Sequence, residues 1–221
     1  MSDYIVIDVE MCKVGKIFRQ GRYKRHNEII QIGAVMLNEK FEEVDEFSSF
    51  VHPQFGKIDG FITKLTGITP GNIQAAPSLE MVLLDMIRWI DGRDARFCSW
   101  SRTDYCQIRD EILMKDLDMD KLDFFLKEEN WIDYQKVVDI RFGLDRAPSL
   151  KDALELADLD VVGHLHDGLA DARNTARMIA KLELNPCYQC GRERFLVKED
   201  RQTHLGYSLG SLLQGIVLET A

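Results

Sequence analysis

The sequence predicts an α/β domain, a five-stranded mixed sheet flanked by helices, with a C-terminal extension. Two observations carry this. Three strand-like runs with short connections open the chain, and beyond about residue 76 strands and helices alternate. An antiparallel meander followed by alternating elements implies a mixed sheet between helical layers. The 221 residues suit one ordinary domain with a modest extension. Boundaries are expected at residues 1–185 for the domain and 186–221 for the extension, whose composition differs.

Taken in order, Tyr4-Ile5-Val6-Ile7 is a run of aromatic and β-branched side chains suited to a buried strand over 3–10. "EIIQIGAVML" (28–37) and "EEVDEFSSFV" (42–51) read as the next two strands, joined by the polar tip Asn38-Glu39-Lys40. Pro53, Gly56 and Gly60 then break the pattern, and a short helical piece spans Phe61–Leu65. Ser78 is placed to cap a helix whose apolar stripe is Leu79, Val82, Leu83, Met86, Ile87 and Ile90. "ARFCSW" (95–100) is a buried strand and 103–113 the helix after it. A helical stretch covers 118–130, "KVVDIRF" (136–142) is a short strand or extended piece, and helices follow at 148–157 and 167–184.

With 45% hydrophobic and 29% charged residues, the composition is that of a soluble globular protein with a substantial core. No run of 18 apolar residues exists, so no membrane partner is expected. Five irregularly spaced cysteines do not make a disulfide framework and suit reduced thiols. With no leader pattern before the first strand, cytoplasmic residence is expected. A net charge of −9 argues against broad coating of duplex nucleic acid but leaves local contacts open. Against that balance, Met11–Asn27 carries Lys13, Lys16, Arg19, Arg22, Lys24 and Arg25 with no acid among them.

The first strand ends unusually, in Asp8-Val9-Glu10. Strand alternation puts Asp8 and Glu10 on one face. Either both acids are solvated at a sheet edge, or they bind a divalent cation, because desolvated carboxylates repel unless protonated or neutralised. Asp104 begins the helix after "FCSW", where an acid serves as an N-cap or first-turn residue, and where sites also assemble in α/β sheets. His166 and Asp171 are spaced as His-x4-Asp. Five residues rotate a helix by about 500°, so the two converge only if His166 precedes the helix and Asp171 lies in its second turn, with Asp167 as N-cap. An unpaired Asp171 facing the sheet is costly. A metal shared with Asp8 and Glu10 relieves all three.

"VIDVEMC", "NEIIQIGAV", "CSWSRTD", "PSLKDAL" and "HDGLADARNTARM" occur here in an order that resembles the DEDDh 3′–5′ exonucleases of RNase H-like fold, over about residues 3–182. The similarity is greatest to the Eri-like exoribonuclease branch, which includes KapD-like bacterial proteins. Each motif is weak alone, and five in order are specific. The resemblance implies that Asp8, Glu10, Asp104 and Asp171 are the four acids and His166 the general base. The basic loop after Cys12 is longer than this branch leads one to expect, and the segment after 186 has no counterpart.

The chemistry agrees with that assignment. All-oxygen ligation selects Mg²⁺ or Mn²⁺. In a two-ion displacement Asp8 would bridge both ions, Glu10 and Asp171 would complete one site, and Asp104 would serve the other. Histidine, ordinarily titrating near 6.5, suits a base at neutral pH. The expectation is a metal-dependent 3′–5′ exonuclease releasing nucleoside 5′-monophosphates from single-stranded 3′ ends, with RNA favoured over DNA. A DNA proofreading or repair exonuclease, or a regulatory binding protein on the same fold, is the alternative.

Met11 and Cys12 follow the acids and are expected beside the terminal nucleotide. "KLTGIT" (64–69) resembles the family segment lining sugar and base, making Leu65 and Ile68 candidate wedges or else core. Arg19, Arg22, Lys24 and Arg25 form either a solvated surface loop or a flap that holds the incoming phosphates. Trp100 reads as packing rather than a stacking platform. Cys187 and Cys190 form one Cys-x-x-Cys, and with His204 still fall short of the four ligands of a zinc knuckle. The end of the extension is expected to dock on the domain, on a second copy in a homodimer, or on a protein partner.

Overall fold

The β-branched opening run becomes β1 (Asp3–Val14), at the centre of the sheet. The computed structural model describes residues 2–16 and 26–189. β1 pairs antiparallel with β2 (Asn27–Leu37), and β2 with β3 (Glu43–Phe50), the expected meander. A two-residue strand, β4 (Gly56–Lys57), pairs with Lys13 and Val14 at the far end of β1. On its other side β1 runs parallel to β5 (Ala95–Ser99), and β5 to β6 (Trp131–Asp133). The order across the sheet is β3-β2-β1-β5-β6.

The sheet has six strands where five were expected. The addition is β4: β1 continues beyond Glu10, and the backbone after Phe55 takes up the edge this extension leaves. The last strand also lies elsewhere than expected. Residues 136–142 belong to a helix, while the strand is Trp131–Asp133. The Val137-Val138 pair and Ile140 suggest a strand by propensity. Tertiary packing overrides it, because Tyr134, Val138 and Phe142 are buried at a spacing of four and Asp133 caps the turn through the Lys136 N–H.

The helices are α1 (Gly60–Thr66), α2 (Pro70–Gln74), α3 (Leu79–Ile90), α4 (Arg102–Lys115), α5 (Met119–Leu126), α6 (Tyr134–Phe142), α7 (Leu150–Leu156) and α8 (Gly168–Leu184). Ser78, Ser149 and Asp167 cap α3, α7 and α8 as the sequence predicts. The stretch expected as one helix over 118–130 is α5 followed by a 3-10 turn at Glu128–Asn130.

Two apolar layers sandwich the sheet. Ile5, Ile7 and Val9 face α3, α4 and α5, while Val6 with Val35 and Leu37 faces α6, α7 and α8. By alternation Asp8 and Glu10 lie on the α8 side. What brings α8 close is a glycine pair. A Cβ on Gly33 would stand 2.2 Å from the Gly168 carbonyl carbon and from the Leu169 nitrogen. Gly33 is the register partner of Asp8, so the start of α8 rests on the strand beside that acid. Gln31 Oε1 accepts the Gly168 N–H at 3.1 Å, and Arg173 pairs with Glu46 on β3 at the sheet edge. Gly33→Ala is expected to cost about 1–3 kcal/mol by overpacking this contact. Urea unfolding measures it, and a parental midpoint would show that α8 does not depend on the seat.

Candidate active site

Four acids come from three elements. Asp8 and Glu10 project from β1, Asp104 from the first turn of α4, and Asp171 from the first turn of α8. Asp171 thus sits one turn earlier than the spacing suggested. Ser101 caps α4 through the Thr103 N–H, which leaves Asp104 free for another role. The parallel pairing of β1 with β5 ends at Val6 opposite Cys98, and Asp104 Oδ1 accepts the Val9 N–H at 3.2 Å. A carboxylate therefore substitutes for the missing strand.

His166 precedes α8 with φ +68°, a left-handed conformation uncommon for a residue with a side chain. Its backbone N–H donates to Asp171 Oδ2 at 2.8 Å, while its ring is exposed. Donor atoms of Glu10, His166 and Asp171 lie within 4.8 Å of one another, close enough to share one metal ion. Asp8 and Asp104 border this trio.

Electrostatics ties all four acids into one unit. Burial pushes the Asp8 carboxyl well above the ordinary carboxylate range, with Asp104, Glu10, Asp171 and Asp167 adding repulsion. Burial also raises Glu10, to about 9, with Asp171, Asp104 and Asp167 contributing. Asp104 is pushed up to about 7, mainly by burial, against the stabilising Val9 N–H. Burial raises Asp171 too, opposed by the His166 backbone N–H. Asp171 Oδ1 is buried without a hydrogen-bond partner. Clustered carboxylates with an orphaned oxygen suit an oxygen-ligated divalent cation, since buried charges otherwise require pairing.

α4 is held by a buried polar stripe that the sequence reading missed. Asp104, Gln107, Glu111 and Lys115 follow one another at helical spacing, all on the face toward β1 and β2. Gln107 Nε2 donates to Asn27 O at 3.0 Å, and Glu111 Oε1 accepts the Ile29 N–H at 2.7 Å. The register of β1 and β2 shifts just after Glu10, so that Gln31 faces Glu10 and Ile29 faces Met11. Glu111 thus satisfies backbone at the irregularity beside the site. Lys115 Nζ lies between Glu28 Oε1 at 2.6 Å and Glu111 Oε2 at 2.7 Å. Glu28 also accepts the N–H groups of Gln54, Phe55 and Gly56. The signal in sequence was the i, i+3, i+7, i+11 spacing of polar residues, which reads equally as a solvated face.

The expected nucleotide contacts fare unevenly. Met11 and Leu65 are partly exposed. Cys12 and Ile68 are 0% and 3% exposed, packed with Ile30, Ile62 and Ile73, so neither side chain offers a surface to a nucleotide. Burial pushes the Cys12 thiol up to about 12. Phe61, not singled out from sequence, is 50% exposed on α1 and lies under the Lys13 ammonium, 5.5 Å from the ring centre. Trp100 is buried among apolar neighbours, as expected. Arg19, Arg22, Lys24, Arg25, Cys190 and His204 lie outside the described residues.

Residues 5–179 match the exonuclease family. ERI1 exoribonuclease 2 of Danio rerio is 30% identical over 183 residues, covering 72% of this chain and 32% of the relative. The 3'-5' exoribonuclease 1 of Rattus norvegicus is 25% identical over 173 residues, covering 73% of this chain and 48% of its own. The chain thus spans between a third and a half of the length of these relatives. Among solved structures, the nuclease domain of 3'hExo, a DEDDh family member bound to rAMP, superposes with a TM-score of 0.71 at 23% identity, covering 84% of this chain and 94% of that one.

Proposed function

The chain belongs to the exonuclease family, in its DEDDh, Eri-like branch, and from that premise we propose that it is a metal-dependent 3′–5′ exonuclease acting on single-stranded 3′ ends. It releases nucleoside 5′-monophosphates and favours RNA. The observation that carries this is the convergence of Asp8, Glu10, Asp104 and Asp171, each raised above ordinary carboxylate behaviour by burial. The RNA preference rests on likeness to relatives named as exoribonucleases.

The four carboxylates would hold Mg²⁺ or Mn²⁺, two ions per site. Such ions supply Lewis acidity to an attacking water and to the leaving 3′ oxygen. His166, joined to Asp171 through its backbone and exposed at the ring, takes the proton from the attacking water. Phe61, half exposed on α1, and the partly exposed Met11 and Leu65 are the apolar side chains against which the terminal base would pack. Arg19, Arg22, Lys24 and Arg25 follow β1 in sequence and would hold phosphates, giving salt-dependent binding.

Catalysis resides in residues 1–185, with 186–221 as an extension to which a second copy or a protein partner would dock. Cys12, Cys98 and Cys187 are free thiols, which suits the cytoplasm. No helix among the described residues is long and apolar enough to cross a membrane.

The test is incubation with Mg²⁺ or Mn²⁺ and 5′-labelled single-stranded RNA or DNA carrying free or blocked 3′ ends. Stepwise shortening from free 3′ ends, faster on RNA and abolished by EDTA, is expected. Faster DNA degradation would favour a proofreading or repair role. Internal cuts in blocked strands, or no hydrolysis, would overturn the assignment.

A further inference from the structure

The segment that delivers His166 runs beside α8 and is gripped there at alternate residues. Lys181 Nζ donates to Asp158 O at 3.3 Å, and Arg177 NH1 to Asp160 O at 2.7 Å. Asn174 holds Val162 from both sides, its Nδ2 donating to Val162 O at 2.9 Å and its Oδ1 accepting Val162 N–H at 3.0 Å. The segment therefore runs antiparallel to the helix, and the rungs approach His166 in the order Lys181, Arg177, Asn174. Asn174 is 0% exposed, whereas the other two contacts lie at the surface.

Past Val162 the chain has little freedom. Gly163 turns at φ +76°, and a Cβ there would stand 2.9 Å from Ala170 Cβ. Three residues on, His166 turns at φ +68° and its N–H reaches Asp171. The backbone between Val162 and His166 is thus fixed at both ends by side chains of α8. A buried primary amide reading one residue's N–H and C=O together fixes both position and orientation, as a strand pair would.

We propose that Asn174 is a positioning residue for His166: by clamping Val162 to α8 it sets where the imidazole stands relative to the acids. This rests on the reading of His166 as the general base. A side chain that holds the base within the tolerance of the reaction contributes to turnover without touching substrate, and a displacement of about 1 Å costs on the order of 10²-fold.

The full chain is tested as parent, Asn174→Ala, His166→Gly and the double variant, with Mn²⁺ and 5′-labelled single-stranded RNA. Mn²⁺ affinity is measured by calorimetry. Asn174→Ala is expected to lower kcat by about 10- to 100-fold, leaving KM and Mn²⁺ affinity near parental values. The double variant is expected to be no slower than His166→Gly alone, because residues acting through one group are not additive. A parental kcat in Asn174→Ala, or an equal loss in both backgrounds, overturns the positioning role. Full activity in His166→Gly instead refutes the base itself and the inference with it. Should Asn174→Ala not fold, Asn174→Asp keeps the acceptor for Val162 N–H beside Arg177 NH1, 3.2 Å from Asn174 Oδ1. Its kcat should fall at least about threefold, again only where His166 is present. A parental rate, or a loss that persists with His166→Gly, overturns the proposal.

Discussion

Asp8→Asn is expected to abolish nucleotide release, by about 10³-fold or more, while making the metal-free protein more stable above neutral pH. Asp8 is the acid on which the other three act: Asp104, Glu10 and Asp171 each push its carboxyl upward on top of burial. Asparagine keeps the shape and removes the charge. Metal affinity and turnover should fall together, read by Mn²⁺ titration and by the release assay. Retained turnover would sink the carboxylate-centred mechanism.

The stability arm follows from the sign of the shifts. Glu10 and Asp104 are raised to about 9 and about 7, so the folded protein holds protons that the unfolded chain gives up near pH 4. Stability in the absence of metal is therefore greatest in the acid range. It declines as pH rises toward those values, where folding must proceed with mutually repelling carboxylates. Removing one charge makes the decline shallower. Relief equivalent to one pKa unit is about 1.4 kcal/mol, or about 3–6 °C in Tm for a domain of this size. Thermal scans in EDTA at pH 5.5 and 8.5 should show the variant's advantage over the parent widening from the lower pH to the higher. Saturating Mn²⁺ should reverse the order, because only the parent keeps the full ligand set. A variant less stable than the parent at pH 8.5 in EDTA would show that repulsion at Asp8 is not what limits the fold.

How much of this was legible in the sequence depends on whether a residue's role is local or tertiary. Asp8 and Glu10 could be read because strand alternation alone puts them on one face and the β-branched run before them marks a buried strand. Asp167 and Asp171 could be read because a cap and the residues after it obey local rules. Trp131–Asp133 could not, since three residues carry no periodicity. Nor could the register shift after Glu10, or the presence of Cys12 in the core, which depend on which strands and helices meet. Glu28, Glu111, Lys115 and Asn174 are the sharpest cases. Each is polar and buried: Glu28, Glu111 and Asn174 because a backbone group of another segment needs them, and Lys115 because the two glutamates need a cation. In one sequence a polar residue recruited by tertiary hydrogen bonding reads the same as a solvated one.

His166→Gly is expected to lower kcat by about 10²–10⁴-fold, the usual contribution of a positioned general base. Glycine is the informative replacement, because His166 holds φ +68° and glycine adopts that conformation freely, whereas alanine would add strain. The backbone N–H that donates to Asp171 Oδ2 is kept. The variant thus removes the ring and leaves the ligand carboxylate supported, so Mn²⁺ affinity should change little if the ring serves as base. The proximity of a His166 nitrogen to Glu10 and Asp171 allows another role, as a metal ligand. The two roles separate experimentally. A lost base removes the ascending limb of the pH–rate profile and is partly replaced by added imidazole, with metal affinity intact. A lost ligand weakens Mn²⁺ binding, and excess metal restores the rate. The exposed ring favours the base, because a water molecule and added imidazole can both reach that position from solvent. Rescue by metal but not by imidazole would assign His166 to the coordination sphere, and the proton would then have to leave through another group.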